Sequence, residues 1–291
     1  MALNRKTFQT RALTAIIFAV VMLTGLLWNQ WSFLLLFSVI HFGCWWEYLK
    51  IIEKVRKTVF HIYIKLGLMT LGYGIMLLFC ASSFQIQGYG LKENLSLPVS
   101  CAGFAMLLMG IFQKLAVQPK ALAVAALGFL YISLPWGLML VLNRYSVQDV
   151  YGASVVDVKY LAGLPVFVIA TIWINDTMAY IVGSLIGKTP LSKISPKKTW
   201  EGTVGGIILA VAVAALVAYL LKFNWLQFSV TTLIIAVTGT FGDLLESKLK
   251  RMADIKDSGS FMPGHGGFLD RFDSMLLATP LAWLYIFECL K

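Results

Sequence analysis

Charge is scarce in this chain: of 291 residues only 13% are charged, and acids are the rarer sign, with 14 Asp and Glu against 24 Lys and Arg. Soluble domains are roughly half apolar and a quarter charged, so a chain that is 59% hydrophobic does not have water as its main solvent. Cysteine is sparse too. Cys44, Cys80, Cys101 and Cys289 form no C-x-x-C pair and have no histidine at zinc-ligand spacing, which argues against a disulfide scaffold and a zinc site. Of three histidines, His41 and His61 lie in or beside apolar runs and are expected to pack; only His265 has a chemically unusual neighbourhood. Short alternating segments are missing as well, which excludes a membrane barrel.

What is present is a series of apolar runs, each of roughly 17 to 25 residues, the length that crosses a hydrocarbon core about 30 Å thick as a helix. The fold class is therefore all-α, a polytopic transmembrane helical bundle of about nine spans. They are expected at 12–28, 31–46, 66–83, 99–112, 121–142, 162–187, 203–221, 226–247 and 272–289. Pro135 in the fifth admits a break into two pieces, and the fourth is short enough to be re-entrant. The first carries Arg5, Lys6 and Arg11 ahead of it like a secretory signal, but no A-x-A-like site follows, so it reads as a retained span. The chain divides into N-terminal helices, 1–160, and a C-terminal catalytic region with cytoplasmic loops, 161–291.

Orientation follows from the basic residues, which short translocated loops lack. With the N-terminus inside, nineteen of the 24 Lys and Arg fall on the cytoplasmic side, leaving Lys92, Arg144, Lys159, Lys222 and Lys291 outside. The net charge of +10 is thus concentrated on one face, where it can hold anionic headgroups and anionic soluble substrates.

Six of the few acids fall in one stretch: Asp243, Glu246, Asp254, Asp257, Asp270 and Asp273. Several sit at span ends, where charge is costly unless employed. On a helix leaving the eighth span, Asp243, Glu246, Ser247 and Lys250 share one face, and Asp270 and Asp273 open the ninth span three residues apart. A helix cap and first-turn acid would also account for the latter pair. Two carboxylates from different helices beside cations suit a magnesium triphosphate site, with Asp243 and Asp270 as the metal ligands. Lys250, Arg251, Lys256 and Arg271 are candidates for phosphate contacts or for simple interfacial anchoring. Between the acid pairs lies Gly264-His265-Gly266-Gly267, a turn that can present backbone N–H groups to an anion.

A second basic loop contains SPKKTWEG from Ser195. Ser195 before Pro196 suits a helix N-cap, which would set Lys197, Lys198 and Thr199 on a first helical turn able to meet phosphate. Lysines reaching for lipid phosphates, with Trp200 at headgroup level, would leave the same pattern. Inside the sixth span, Asn175 and Asp176 interrupt an apolar run, and an intramembrane acid is a functional candidate by default.

At these residues the chain resembles the phosphatidate cytidylyltransferase (CDP-diacylglycerol synthase) family. Ser247, Lys250, Arg251, Lys256, Asp257, His265, Gly266, Gly267, Asp270, Arg271 and Asp273 fill that family's signature without a gap over 27 residues, Ser247 to Asp273. Similarity extends over roughly 165–291 through the Asn175-Asp176 and SPKKTWEG elements. The resemblance implies a membrane-bound, metal-dependent enzyme of phospholipid biosynthesis, with CTP and phosphatidate as substrates and no nucleic acid partner. It implies catalytic roles for Asp243, Lys256, Asp257, Asp270 and Asp273. Substrate contacts fall to Ser195, Lys197, Lys198, Thr199, Ser247, Lys250, Arg251, His265, Gly266, Gly267 and Arg271. The expected cofactor is Mg2+ at Asp243 and Asp270, in a site read as holding two cations, the second unassigned. The expected location is the cytoplasmic (inner) membrane, with N-terminus and site facing the cytoplasm; a homodimer is left open. The rival readings are a transferase acting on an isoprenoid lipid and an ion-coupled transporter. The latter would place its polar site near the midplane rather than at one face. The D-G-x-x-A-R opening of CDP-alcohol phosphotransferases is absent.

Overall fold

The computed structural model of the chain describes residues 5–113, 118–152, 163–261 and 266–290, and these are helical nearly throughout. Eleven α-helices are described: α1 Arg5–Leu27, α2 Gln30–Arg56, α3 Ile62–Leu77, α4 Ser96–Ile111, α5 Pro119–Ala126, α6 Leu134–Leu142, α7 Val147–Tyr151, α8 Leu164–Ile186, α9 Trp200–Leu221, α10 Trp225–Met252 and α11 Leu269–Tyr285. Each of the nine expected spans coincides with a helical run. Seven are long and apolar enough to cross a membrane, while Ile16–Leu27 and Ile62–Leu77 are shorter apolar helices. Many of their apolar side chains stay exposed, among them Ile208, Leu216 and Leu220 of α9 and Leu97, Phe104 and Met109 of α4. Such surface is stable against hydrocarbon and not against water, and the chain is a multi-pass membrane protein.

Two boundaries differ from expectation. The third helix begins at Ile62, where His61 caps it by accepting the amide of Tyr63 on Nδ1 (3.3 Å), and ends at Leu77 rather than continuing to residue 83. The fifth span does not break at Pro135. Proline has no N–H for the carbonyl one turn back and its ring crowds that carbonyl. The helix widens instead into a π turn at Phe129–Ser133, with the amide of Leu134 reaching Phe129 O, and the run continues from Pro119 to Leu142. The fourth span is lengthened by a π turn at Leu91–Leu95, so that Leu91–Ile111 has 21 residues.

The chain forms two compact units, Met1–Gly137 with Leu249–Phe272, and Leu138–Lys248 with Asp273–Lys291. In the first, Trp45 of α2 is fully buried and donates its indole N–H to Ser133 Oγ (2.9 Å), which also lies 3.0 Å from His41 Nε2. Helices α3 and α4 meet along a seam of glycines spaced seven apart, Gly67 and Gly74 on one, Gly103 and Gly110 on the other. A Cβ at Gly67 would stand 2.6 Å from Leu107 N, and one at Gly103 would strike the backbone of Leu71. Helices in lipid gain no hydrophobic drive to associate, so close backbone packing substitutes for it.

In the second unit α8 and α9 pack in the same way, Gly202 and Gly206 against Ala179 and Gly183, followed on α9 by buried Ala210, Ala214 and Ala218. Gly242 of α10 lies against the backbone of Asp273 and Ser274 at the start of this unit's share of α11. Tyr151 donates to Thr231 Oγ1 (2.8 Å) within a cluster of Phe167, Phe223 and Phe228.

Gly103→Leu should lower stability by about 1–3 kcal/mol through overpacking of the α3–α4 seam. Phe104→Leu, on the exposed side, should stay within about 0.5 kcal/mol. Thermal unfolding of detergent-purified protein measures both.

Candidate active site

In the second unit the polar residues of two helices and one loop, with Thr203 of α9, meet at a cavity of about 440 Å³. Helix α8 supplies Asn175 and Asp176, α10 supplies Thr240 and Asp243, and the loop before α9 supplies Lys197, Lys198 and Thr199. Lys198 Nζ forms an ion pair with Asp243 Oδ2, and Ser247, one turn further along α10, donates to Asp243 Oδ1 (3.2 Å). The pair is part-exposed, with side-chain accessibilities of 30% and 27%, so it is reachable by a ligand.

The loop that delivers Lys198 is built differently from the expectation. Ser195 is not a helix cap. Ser195-Pro196-Lys197-Lys198 is a turn closed by Lys198 N to Ser195 O (3.1 Å), with proline at its favoured second position. The flanking strands pair through Leu191 N to Lys198 O (2.7 Å) and Trp200 N to Thr189 O (2.9 Å). Helix α9 starts only at Trp200, and Thr199 is its cap, accepting Gly202 N on Oγ1 (3.1 Å). Both serine and threonine suit a cap, but the turn and the cross-loop pairing keep Ser195 out of the helix and leave the role to Thr199. Glu201, in the first turn, braces the loop by accepting the amides of Lys188 and Thr189.

The first unit holds a second polar cluster. Asp270 accepts Lys250 Nζ on Oδ1 (2.6 Å), and Ser258 N (2.9 Å), Ser258 Oγ (2.9 Å) and Gly267 N (2.8 Å) meet Oδ2. Glu47 of α2, only 6% exposed, accepts Ser258 Oγ (2.6 Å), Phe268 N (3.0 Å) and Leu269 N (2.8 Å). In the described part of the glycine turn the chain's own carboxylates are close by: the amide of Gly267 serves Asp270, and those of Phe268 and Leu269 just after it serve Glu47. Gly266 takes φ +85, which favours glycine, and a Cβ there would meet Asp270 Oδ2 at 2.6 Å. A Cβ at Gly267 would strike the Glu47 carboxylate.

The remaining sequence candidates are scattered. Arg251 is exposed and donates to Ile255 O (3.1 Å); Lys256, Asp257 and Arg271 are exposed; Asp273 is buried and its Oδ1 accepts Ser274 N (2.7 Å). His265 lies outside the described residues. Glu47, Ser258 and Glu201 were not singled out from the sequence. Glu47 carried a signal nonetheless, since it is an acid inside the apolar run WWEYLK.

Among the described residues no three His, Cys, Asp or Glu converge for a metal. Mg2+, however, is held by one or two carboxylates with water and substrate phosphate completing its shell. The second-unit cavity fits that demand. It offers Asp243 and Asp176 beside Asn175, whose buried Oδ1 has no hydrogen-bond partner. Asp270 fits less directly, since each of its oxygens already takes donors.

The model of the cytidylyltransferase family matches residues 9–289. The chain is similar to the phosphatidate cytidylyltransferase of Staphylococcus saprophyticus, 33% identical over 243 residues, which is 76% of this chain and 90% of that protein. The enzyme of the same name from Staphylococcus haemolyticus is 47% identical over 114 residues, covering 38% of this chain and 44% of the relative. That of Bacillus subtilis is 45% identical over 118 residues, 40% of this chain and again 44% of the relative.

Removing Thr199's hydroxyl in Thr199→Ala should cost about 1 kcal/mol of stability, as loss of a helix cap does. Ser195→Ala should cost no more than about 0.5 kcal/mol. Glu47→Ala should cost on the order of 3 kcal/mol, because it strands the buried amides of Phe268 and Leu269 and the hydroxyl of Ser258. Melting curves of the three variants order these effects.

Proposed function

The chain belongs to the cytidylyltransferase family, and from that membership we propose that it transfers the cytidylyl group of CTP to phosphatidate, forming CDP-diacylglycerol and pyrophosphate. A phosphate oxygen of the lipid attacks the α-phosphorus of CTP. The bond from that phosphorus to the bridging oxygen breaks, and its electron pair leaves with pyrophosphate. Such a displacement needs positioning and charge neutralisation more than a covalent nucleophile, so the serines bind rather than react.

The observation that carries this reading is the Lys198–Asp243 pair lining a cavity in a chain otherwise poor in charge. Lys197 and Lys198 are the phosphate-binding cations of the reading, and Ser247 orients Asp243 through its hydrogen bond. Lys250 is held ready by Asp270 in the first unit. Asp243 would hold Mg2+, and Asp270 would do so through Oδ1 once Lys250 has moved to phosphate. When bound, the cation supplies neutralisation of phosphate oxygens and of the charge developing on pyrophosphate. The reaction is placed at the cytoplasmic face of the cell membrane, following the asymmetry of Lys and Arg along the chain.

Purified protein given labelled CTP, phosphatidate and Mg2+ should yield a labelled liponucleotide, and chelation of divalent cations should stop it. Asp243→Asn and Asp270→Asn should each reduce turnover by about a thousandfold or more, Asp243→Asn with its melting temperature preserved within a few degrees. An isoprenoid phosphate used in preference to phosphatidate would replace the acceptor in this reading, and full activity in either variant would remove its carboxylate from it.

A further inference from the structure

A second cavity, of about 430 Å³, lies entirely in the first unit, where α2 ends. Lys50, Lys54 and Lys57 line it, spaced four and three residues apart so that they share a face. Like charges at this spacing repel, and the lining does little to relieve them. The carboxylate of Glu53 is committed elsewhere, Oε1 to the amide of Phe60 (2.7 Å) and Oε2 to Lys65 (2.9 Å). Among the described residues no ion pair holds any of the three ammonium groups, and that of Lys50 lies 5.2 Å from the centre of the Trp46 ring. Asp257 is the other carboxylate of the lining, so three cations face one uncommitted anion.

The rest of the lining says what kind of anion belongs there. Lys57 adopts a left-handed conformation, φ 49, that ends α2 and turns the chain into Thr58 and Val59, both at the cavity. Val59 is 70% exposed, and Ile62 and Leu66 beyond it are exposed as well. Helix α2 is one of the membrane-crossing helices, and basic residues at the end of a span sit at headgroup level. Capping the helix dipole would account for lysines at this end but not for a cavity that also reaches Ser258 of a distant segment.

We propose that this cavity binds the phosphate of an anionic lipid headgroup through Lys50, Lys54 and Lys57, with the exposed apolar side chains beside it meeting the acyl chains. Its ligand would touch Ser258, the residue that bridges Glu47 and Asp270. The inference goes beyond the proposed reaction and is read by binding, so loss of turnover leaves it standing and its failure leaves the reaction standing.

The test titrates the full-length protein in detergent with short-chain phosphatidate, short-chain phosphatidylcholine and CTP, using native mass spectrometry to count ligands per chain. In the triple variant Lys50→Gln, Lys54→Gln, Lys57→Gln, one bound phosphatidate should be lost or bind at least about tenfold more weakly. The triple arginine variant should keep it, as should Asp243→Asn. Should the triple glutamine variant fail to fold, the single Lys54→Gln, at an exposed position, should weaken phosphatidate binding in the same direction. Unchanged phosphatidate binding in the glutamine variants overturns the site. Loss of CTP alone overturns the lipid assignment and gives the cavity to a soluble nucleotide. Equal loss of phosphatidylcholine overturns the role of the headgroup's net charge.

Discussion

A carboxylate taken out of water costs several kcal/mol unless donors replace the water it gives up. That constraint organises the polar part of this protein. Asp243 is met by Lys198 and Ser247, Asp270 by Lys250 and two backbone amides, Glu47 by two amides and a hydroxyl. Each set includes a donor from a segment well away in sequence, so satisfying the acid also fixes a loop. Glu47 on α2 fastens Ser258 and the entry to α11, more than two hundred residues on. Loops that would otherwise move freely on a membrane surface are held by ionic and amide contacts rather than by apolar burial.

The apolar part obeys a different rule. Lipid solvates leucine as well as a neighbouring helix does, so association in the bilayer depends on how closely backbones approach. Reciprocal glycines on α3 and α4, and glycine facing alanine on α8 and α9, provide that approach within each unit. The consequence reaches the chemistry, because the α8–α9 seam carries Asn175, Asp176 and the loop of Lys198 on its two helices. A seam that tolerates no Cβ leaves little freedom to the groups mounted on it.

Much of this was legible in the sequence because long apolar runs in lipid have one answer. The nine helices follow from hydropathy alone, and the errors are local. The break that Pro135 allowed is absent because a π turn absorbs the missing donor, a rearrangement that depends on neighbouring packing rather than on the proline. The cap expected at Ser195 moved to Thr199 because cross-loop hydrogen bonds, which link residues seven and eleven apart, outweigh a local propensity. Asp243, Lys198, Lys250 and Asp270 stood out as charges at span ends. Glu47 obeyed the same logic and was hidden only by its distance from the motif. The glycines of the turn were read as room for a ligand's phosphate, and in this structure Gly266 and Gly267 also leave room for the carboxylates of Asp270 and Glu47.

These ion pairs bear on how a site poor in charge can accept a triphosphate. Two opposite charges side by side cost less to hold in a poorly hydrated site than either would alone. Lys198 is paired with Asp243, and Lys250 with Asp270. In the proposed reaction the nucleotide and its cation bring both signs at once, phosphate for the lysines and metal for the carboxylates. Binding then exchanges partners instead of creating charge, and the desolvation cost, already met when the protein folded, is not incurred again. A lysine replaced by glutamine at either pair would harm the site twice, by removing a phosphate contact and by leaving a carboxylate without its cation.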